Sequence, residues 1–319
     1  MKTSITSKPL VSTIIIFLNE ERFLQEAIAS VFAQSYVDWE LLLVDDGSTD
    51  GSTVIAKRFA SEYPQRVRYL HHNGHANRGM SASRNLGLEH ARGAFVAFLD
   101  ADDVWLLHKL TEQVELLQSN PRAAMVYGRT QYWHSWTGRK EDRDLDELTK
   151  GGAHVGTIVE PPDLLTAFLR DGDIYPCMCS VIIRKEVFDQ VGSFEERFRN
   201  ANEDMVFHTK VFLNHPVYVA DKCWDRYRIH SDSFWNVART SGWHVFPGHT
   251  HPAHEEYLVW VEAYLQERAI DDQDLQRAFR KALWPYRHPR SYHLWRKATG
   301  AASRLVAVSS RAFQRIHRS

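Results

Sequence analysis

The 319-residue sequence lacks most of the features that would assign a class at once. Three cysteines, Cys177, Cys179 and Cys223, are too few for a disulfide framework and fit a reducing compartment. No hydrophobic run is long: the early one, residues 10–18, breaks at Asn19-Glu20-Glu21-Arg22 and is too short for a membrane span. The opening MKTSITSKPL has one early lysine but no apolar core of a secretory signal, so a cytoplasmic protein is expected. There is no internal repeat and no low-complexity block. There is also no G-x-G-x-x-G and no P-loop, so a bound phosphate would not be held by a glycine nest. Acidic residues are missing from one end. From Arg277 onward there are eleven Lys/Arg and no Asp or Glu, leaving 28 basic against 40 acidic residues elsewhere. The formal net charge of −1 therefore conceals an acidic body and a basic tail.

What is present is an alternation of apolar runs and helical stripes. Residues 11–18, 40–44, 67–70 and 94–99 read as strands. Between them, residues 20–34, 52–61 and 80–91 read as helices. The first carries the stripe Phe23, Leu24, Ala27, Ile28, Val31 and Phe32, with Asn19 placed to cap it. This βαβ rhythm predicts an α/β fold with a mostly parallel sheet flanked by helices. A helix over 107–117, a strand over 125–127, a long loop over 134–160, a strand over 181–183 and a helix from Asn202 through Leu213 follow. Beyond about residue 240 the pattern is helical only. The expected division is a body over 1–240, with halves 1–104 and 105–240, and a basic helical extension over 241–319.

Two acidic clusters end strands, where the loops of such sheets converge on ligands. In FLDADD, Asp100, Asp102 and Asp103 crowd three carboxylates into four positions, and like charges so close call for a cation. Carboxylate oxygens suit Mg²⁺ or Mn²⁺, and a helix cap with solvated acids is the plainer alternative. In WELLLVDDGSTDGS, Asp45-Asp46 precede a glycine turn, and an aspartate there can accept from a base ring N–H. A calcium loop is excluded, because the terminal glutamate and entering helix are missing. Cys177-x-Cys179 has no partner pair at metal spacing and reads as buried thiols. His249, His251 and His254 lack carboxylate or cysteine company. Tyr132, Trp133 and Trp136 suit either an acceptor platform or core packing.

Taken in order, VSTIIIFLNEERFLQEAIASVFAQSYVDWELLLVDDGSTDGS, NRGMSASRNLGLEHARGAFVAFLDADDVW and NEDMVFHTKVFL resemble the nucleotide-sugar-dependent glycosyltransferases of family 2, which have the GT-A fold. The resemblance covers residues 9–232. It implies an inverting transfer from a nucleotide-diphosphate sugar to an acceptor hydroxyl in polysaccharide or glycan assembly. UDP-sugar leads as donor and dTDP-sugar follows. By position, Asp45 is implied to read the base and Arg84 to sit in the nucleotide pocket, with Phe17, Asn19, Glu20, Asp46 and Ala101 around the donor. Asp100 is implied near the ribose, Asp102 as ligand of Mn²⁺ or Mg²⁺, and His230 near the metal. Asp204, beside Glu203, falls at the general base. Where the family often carries Pro-Val-Tyr-Asn, this chain has Ile16-Phe17-Leu18-Asn19, and Leu18 offers no ring to stack on the base.

Two rivals remain on the residues alone. Asp100-Ala101-Asp102-Asp103-Val104 also fits the D-x-D-x-[TV] of haloacid-dehalogenase-like phosphatases, with Asp100 as nucleophile, although three strands precede it. A non-catalytic nucleotide- or glycan-binding protein is the other. In the tail, Trp295, Ala298, Ala302, Leu305, Val306, Ala312, Phe313 and Ile316 share one helical face opposite Arg296, Lys297, Arg304, Arg311, Arg315 and Arg318. Residues 291–319 thus suit an anionic membrane surface beside a lipid-linked acceptor, making the protein peripheral there. Packing on the body or on a second copy of the chain is the alternative. Nucleic acid is not expected as a partner.

Overall fold

The computed structural model describes residues 9–295 apart from 153, 172–175, 200, 232 and 234–250. Its centre is a ten-stranded sheet with the path β3-β2-β1-β4-β9-β6-β10-β5, with β7 added at β6 and β8 at β10. The first four strands in that path, β3 (Val67–His71), β2 (Trp39–Asp45), β1 (Val11–Phe17) and β4 (Phe95–Asp100), are all parallel. The apolar residues of β1, β2 and β4 are buried almost without interruption, as expected of strands covered on both faces, whereas those of β3 at the sheet edge are half-buried after Val67. Helices α1 (Leu24–Phe32), α2 (Ser52–Glu62) and α3 (Met80–His90) make the crossovers.

The sheet is mixed beyond β4. β9 (Ile182–Arg184) runs antiparallel between β4 and β6 (Met125–Trp133), and β6 pairs parallel with β10 (Val217–Arg228). β5 (Val104–Trp105) lies antiparallel to β10. Residues 134–160, expected as a loop, hold two short edge strands. β7 (Glu147–Leu148) pairs with β6, and β8 (Thr157–Val159) pairs with β10. Two or three residues are too few to show alternation in a sequence.

Helices α4 (Lys109–Ser119), α5 (Asp163–Asp171), α6 (Lys185–Val191) and α7 (Glu203–Asn214) complete this part. Two more follow the helical pattern expected beyond residue 240: α8 (Pro252–Glu267) and α9 (Gln273–Arg287). Tyr257, Leu258, Val261, Leu275 and Phe279 from these two helices join one buried cluster with Phe207 and Val211 of α7 and Phe98 of β4. Among the described residues no helix is long and apolar enough to cross a membrane. The basic stripe at 296–319, like His249, lies outside the described residues.

Candidate active site

The carboxyl ends of β1, β2 and β4 open onto one cleft of about 1820 Å³. Phe17, Glu20, Asp46, Arg84, Asp100, Ala101, Asp102, Glu203 and Asp204 all line it, so residues spread over nearly two hundred positions converge. Asn19, Asp45 and His230 do not line it.

Asn19 does not cap α1 either. It takes a left-handed φ of 58°, and its Oδ1 accepts from Thr49 N at 2.7 Å. The Asn19-Glu20-Glu21 segment is laced to the loop after β2 instead. Asn19 N donates to Ser48 Oγ at 3.0 Å, Glu20 N to Ser52 Oγ at 2.7 Å and Glu21 N to Asp50 Oδ2 at 3.0 Å. Gly47 turns that loop at φ 91°, where a side chain would strike Asn77 N and His75 O at 2.9 Å.

The two adjacent aspartates there differ in surroundings. Asp45 is fully buried. Its Oδ2 takes bonds from Thr53 Oγ1 at 2.5 Å and Tyr69 OH at 3.0 Å, and its Oδ1 from Ser48 N at 2.8 Å. Burial alone would raise Asp45, but the bonds from Thr53 and Ser48, with His75 3.0 Å away, hold it below its ordinary range. Its oxygens are spent on the protein. Asp46 faces the cleft, positioned by Arg78 N at 2.8 Å, Gly79 N at 3.0 Å and Ser83 Oγ at 2.9 Å.

Arg84, on α3 and 3% exposed, ties two segments together. Its Nη1 donates to Glu203 Oε1 at 2.7 Å and its Nη2 to Asp100 Oδ1 at 3.2 Å. Burial pushes Asp100 up, Arg84 pulls it down, and Asp102 and Glu203 push it up again. Asp204 starts α7 beside Glu203 and stands half-buried at the cleft wall. Burial first and Glu203 second raise its carboxyl to about 7, against Arg84. The helix start does not win. The only bond Asp204 draws from it is Met205 N at 2.7 Å.

Asp102 presents Oδ2 to His230 Nε2 at 3.0 Å. The turn that carries it is clamped by Arg228, 2% exposed, which the sequence reading missed. Arg228 Nε donates to Asp102 O at 2.7 Å, its backbone N to Asp103 Oδ1 at 2.8 Å and its Nη2 to Glu26 Oε2 at 2.7 Å. The guanidinium sits 4.6 Å from the rings of Phe23 and Trp133 and 5.3 Å from that of Trp136. Trp133 and Trp136 are therefore packing for this clamp, while Tyr132 lines the cleft. No local signal in YRIHSDS marks Arg228, because the partners of its hydrogen bonds lie over 120 positions away.

The other side of the cleft is aromatic: Trp284, Tyr286, Tyr292 and Trp295 line it, with Tyr292 and Trp295 stacked at 5.9 Å. His251 caps α8 through Nδ1, accepting from Ala253 N at 3.1 Å.

Known proteins decide the family. The sequence profile of glycosyl transferase family 2 matches residues 12–192, more than half of the chain. The chain belongs to glycosyl transferase family 2. It is 28% identical over 247 residues to the putative teichuronic acid biosynthesis glycosyltransferase TuaG of Bacillus subtilis, covering 75% of this chain and 88% of TuaG. It is 37% identical over 119 residues to the Escherichia coli UDP-Glc:alpha-D-GlcNAc-diphosphoundecaprenol beta-1,3-glucosyltransferase WfgD, covering 37% of this chain and 45% of WfgD. Other curated relatives are matched over 52% and 42% of their length, so the chain spans about half of each.

Among solved structures, S. aureus TarS 1-349 in complex with UDP-GlcNAc matches at TM-score 0.53 and 18% identity, over 86% of this chain and 79% of that one. The mannosyltransferase PcManGT from Pyrobaculum calidifontis, in complex with GDP-Man and Mn²⁺, matches at 0.52 and 19%, over 94% and 81%. These two establish the GT-A fold. The haloacid-dehalogenase reading of Asp100 finds no support among them.

Proposed function

We propose that this family 2 protein is an inverting, metal-dependent glycosyltransferase that moves a sugar from a UDP-sugar to an acceptor hydroxyl in surface-polysaccharide assembly. The observation that carries this reading is the meeting, in one cleft, of the hard-oxygen pair Asp100 and Asp102 with Asp204, a carboxyl held near neutrality. Asp204 takes the proton from the acceptor hydroxyl as that oxygen attacks the anomeric carbon and the bond to the diphosphate breaks. The attack is in line, so the anomeric configuration inverts. Arg84 keeps Glu203 and Asp100 in fixed relation through the step.

The donor base is read by Asp46, a carboxylate that lines the cleft and suits a uracil N3–H, rather than by Asp45, which does not line it. The UDP-glucose named for WfgD and the UDP-GlcNAc bound to TarS support a uridine donor. Two carboxylates beside an open cleft, with His230 steadying Asp102, fit Mn²⁺ or Mg²⁺. When bound, the ion neutralises charge building on the departing diphosphate. The acceptor is a glycan or lipid-linked sugar, held against the aromatic wall of Trp284, Tyr286, Tyr292 and Trp295. The basic tail 291–319 brings the enzyme to an anionic membrane surface. Co-sedimentation with anionic liposomes of the full chain, but not of a chain ending near Tyr286, is the expected result.

The decisive experiment is nucleoside diphosphate release across UDP-, dTDP- and GDP-sugars, with Mn²⁺ and with EDTA, followed by NMR of the product anomer. Metal-dependent UDP release with inversion is expected. Full activity in EDTA would remove the metal, and a retained anomer would remove Asp204 from its role.

A further inference from the structure

Next in sequence to Asp102, Asp103 belongs to a second set of ligand-type atoms. Cys177 and Cys179 flank a short turn, and their sulfurs lie 2.8 Å apart, pointing into one space. Asp103 reaches the same space: one of its carboxylate oxygens and the two sulfurs all lie within 4.8 Å of one another. Asp103 is 1% exposed, its Oδ1 is taken by Arg228 N at 2.8 Å, and its Oδ2 has no hydrogen-bond partner. Asp225 of β10 borders this group beside Cys179 without lying within the same 4.8 Å. It is fully buried, its Oδ2 accepts from Cys179 Sγ at 3.3 Å, and its Oδ1 likewise has no partner. A buried carboxylate oxygen left unpaired is costly, and two beside a pair of thiols need a common explanation.

The structure assigns Cys177, Cys179, Asp103 and Asp225 to a binding site for a borderline-soft divalent cation, Zn²⁺ by its chemistry. Two sulfurs and the Asp103 carboxylate supply three donors of a tetrahedral zinc site and Asp225, by a shift of its side chain, the fourth, whereas Mg²⁺ would refuse the sulfurs. On binding, each thiol releases its proton to solvent and the thiolate donates an electron pair to the metal; no oxidant is involved.

The supporting shell is already built. Trp105 Nε1 donates to Cys179 O at 2.9 Å, Ser180 N to Cys177 O at 2.9 Å, and Gln113 Nε2 to Ser180 O at 2.7 Å. These bonds fix the Cys-x-Cys turn before any metal arrives. Lys109, fully buried and held by Gln113 Oε1 at 2.7 Å, offsets part of the negative charge that four anionic ligands leave around one dication. Cys177 also lines the large cleft, which gives the metal a way in. The sequence alone hid this site, because Asp103 and Asp225 are 74 or more and 46 or more positions from the cysteines.

The test uses the full-length protein, reduced, stripped with chelator and titrated with Co²⁺ as a spectroscopic stand-in for Zn²⁺. A near-ultraviolet thiolate-to-cobalt charge-transfer band with tetrahedral ligand-field bands is expected, saturating at one Co²⁺ and displaced by Zn²⁺. Asp102→Asn and Cys223→Ser should keep the band, and Cys177→Ser with Cys179→Ser should abolish it. Gln113→Ala, which removes the bond to Ser180 O and the acceptor of Lys109 but no ligand, should weaken Co²⁺ binding by about tenfold. Zn²⁺ should also slow modification of Cys177 in wild-type protein by a disulfide reagent, a readout that needs no variant to fold. No charge-transfer band in the wild type, or a band that survives loss of both cysteines, would overturn the assignment. So would a mass two hydrogens short before reduction, which would mean that the two cysteines are oxidised to a disulfide with each other.

Discussion

Two loops of this molecule end parallel strands with adjacent aspartates, and they treat those acids in opposite ways. After β2, Asp45 is surrounded by hydroxyls and backbone N–H groups that satisfy its charge from within and lower its pKa. After β4, Asp100 and Asp103 meet one another and Asp102, and although Arg84 reaches Asp100 and the Arg228 backbone reaches Asp103, both are pushed up by burial and by like charge. The first loop is complete as it folds. The second carries negative charge that the protein does not neutralise, which is the electrostatic condition for taking up a cation. Substitutions in the second loop should therefore act on turnover, and Asp45 should act on stability.

The sharpest contrast is expected at Asp102. Asp102→Asn should lower kcat by about a thousandfold while moving the melting temperature little, because the residue sits at the cleft rather than in the core. A variant with near wild-type turnover would show that the two loops do not differ as argued.

Next in size is Asp204→Asn, with a loss of at least about a hundredfold in kcat and donor binding retained. The base must be ionised to accept a proton, so wild-type kcat should rise with pH and level off above a pKa of about 7. That apparent pKa belongs to the coupled set of Asp204, Glu203, Arg84 and Asp100 rather than to one carboxyl. The ascending limb should vanish in Asp204→Asn. A smaller effect is expected from Arg228→Met, which removes the bond to Asp102 O and the contact with three rings. The half-saturating Mn²⁺ concentration should rise by about tenfold, with kcat at saturating metal nearly intact.

The parts of this arrangement that were legible in the sequence are those written in local periodicity. Continuous apolar runs marked β1, β2 and β4, and 3.6-residue stripes marked the crossover helices. Because the acids follow those runs, Asp46, Asp100 and Asp102 could be placed at the cleft, but the withdrawal of Asp45 from it could not be read. Period-two alternation also implies that Asp45 and Asp46 point to opposite sides. It does not say which side is open, since that depends on Thr53, Tyr69 and Ser83 from other elements. Asn19 looked like a cap because its residue type and place were right, yet bonds to the neighbouring loop hold it in a left-handed conformation. Arg228 was invisible for a different reason. Its partners Glu26 and Asp102 are brought to it only by the order of strands in the sheet.

The smallest effect, and the one that isolates the first loop, concerns Asp45→Asn. The amide keeps the shape of the carboxylate but puts an N–H₂ where Thr53, Tyr69 or Ser48 now donates, so at least one donor loses its acceptor inside the core. The expected cost is about 2 kcal/mol at neutral pH, with the donor KM within about twofold of wild type. The native pKa of Asp45 is lowered, so the stability it contributes is present above the unfolded carboxylate pKa and is lost as pH falls through the native value. Wild type and Asp45→Asn should therefore differ most in denaturant melts near pH 7 and converge in acid. Asp46→Asn is the matched control, since Asp46 faces the cleft. It should raise the donor KM by more than Asp45→Asn does. If Asp45→Asn raised the donor KM more than Asp46→Asn while leaving the melts unchanged, Asp45 would be the base-reading residue after all, and the division of labour between the two neighbours would be reversed.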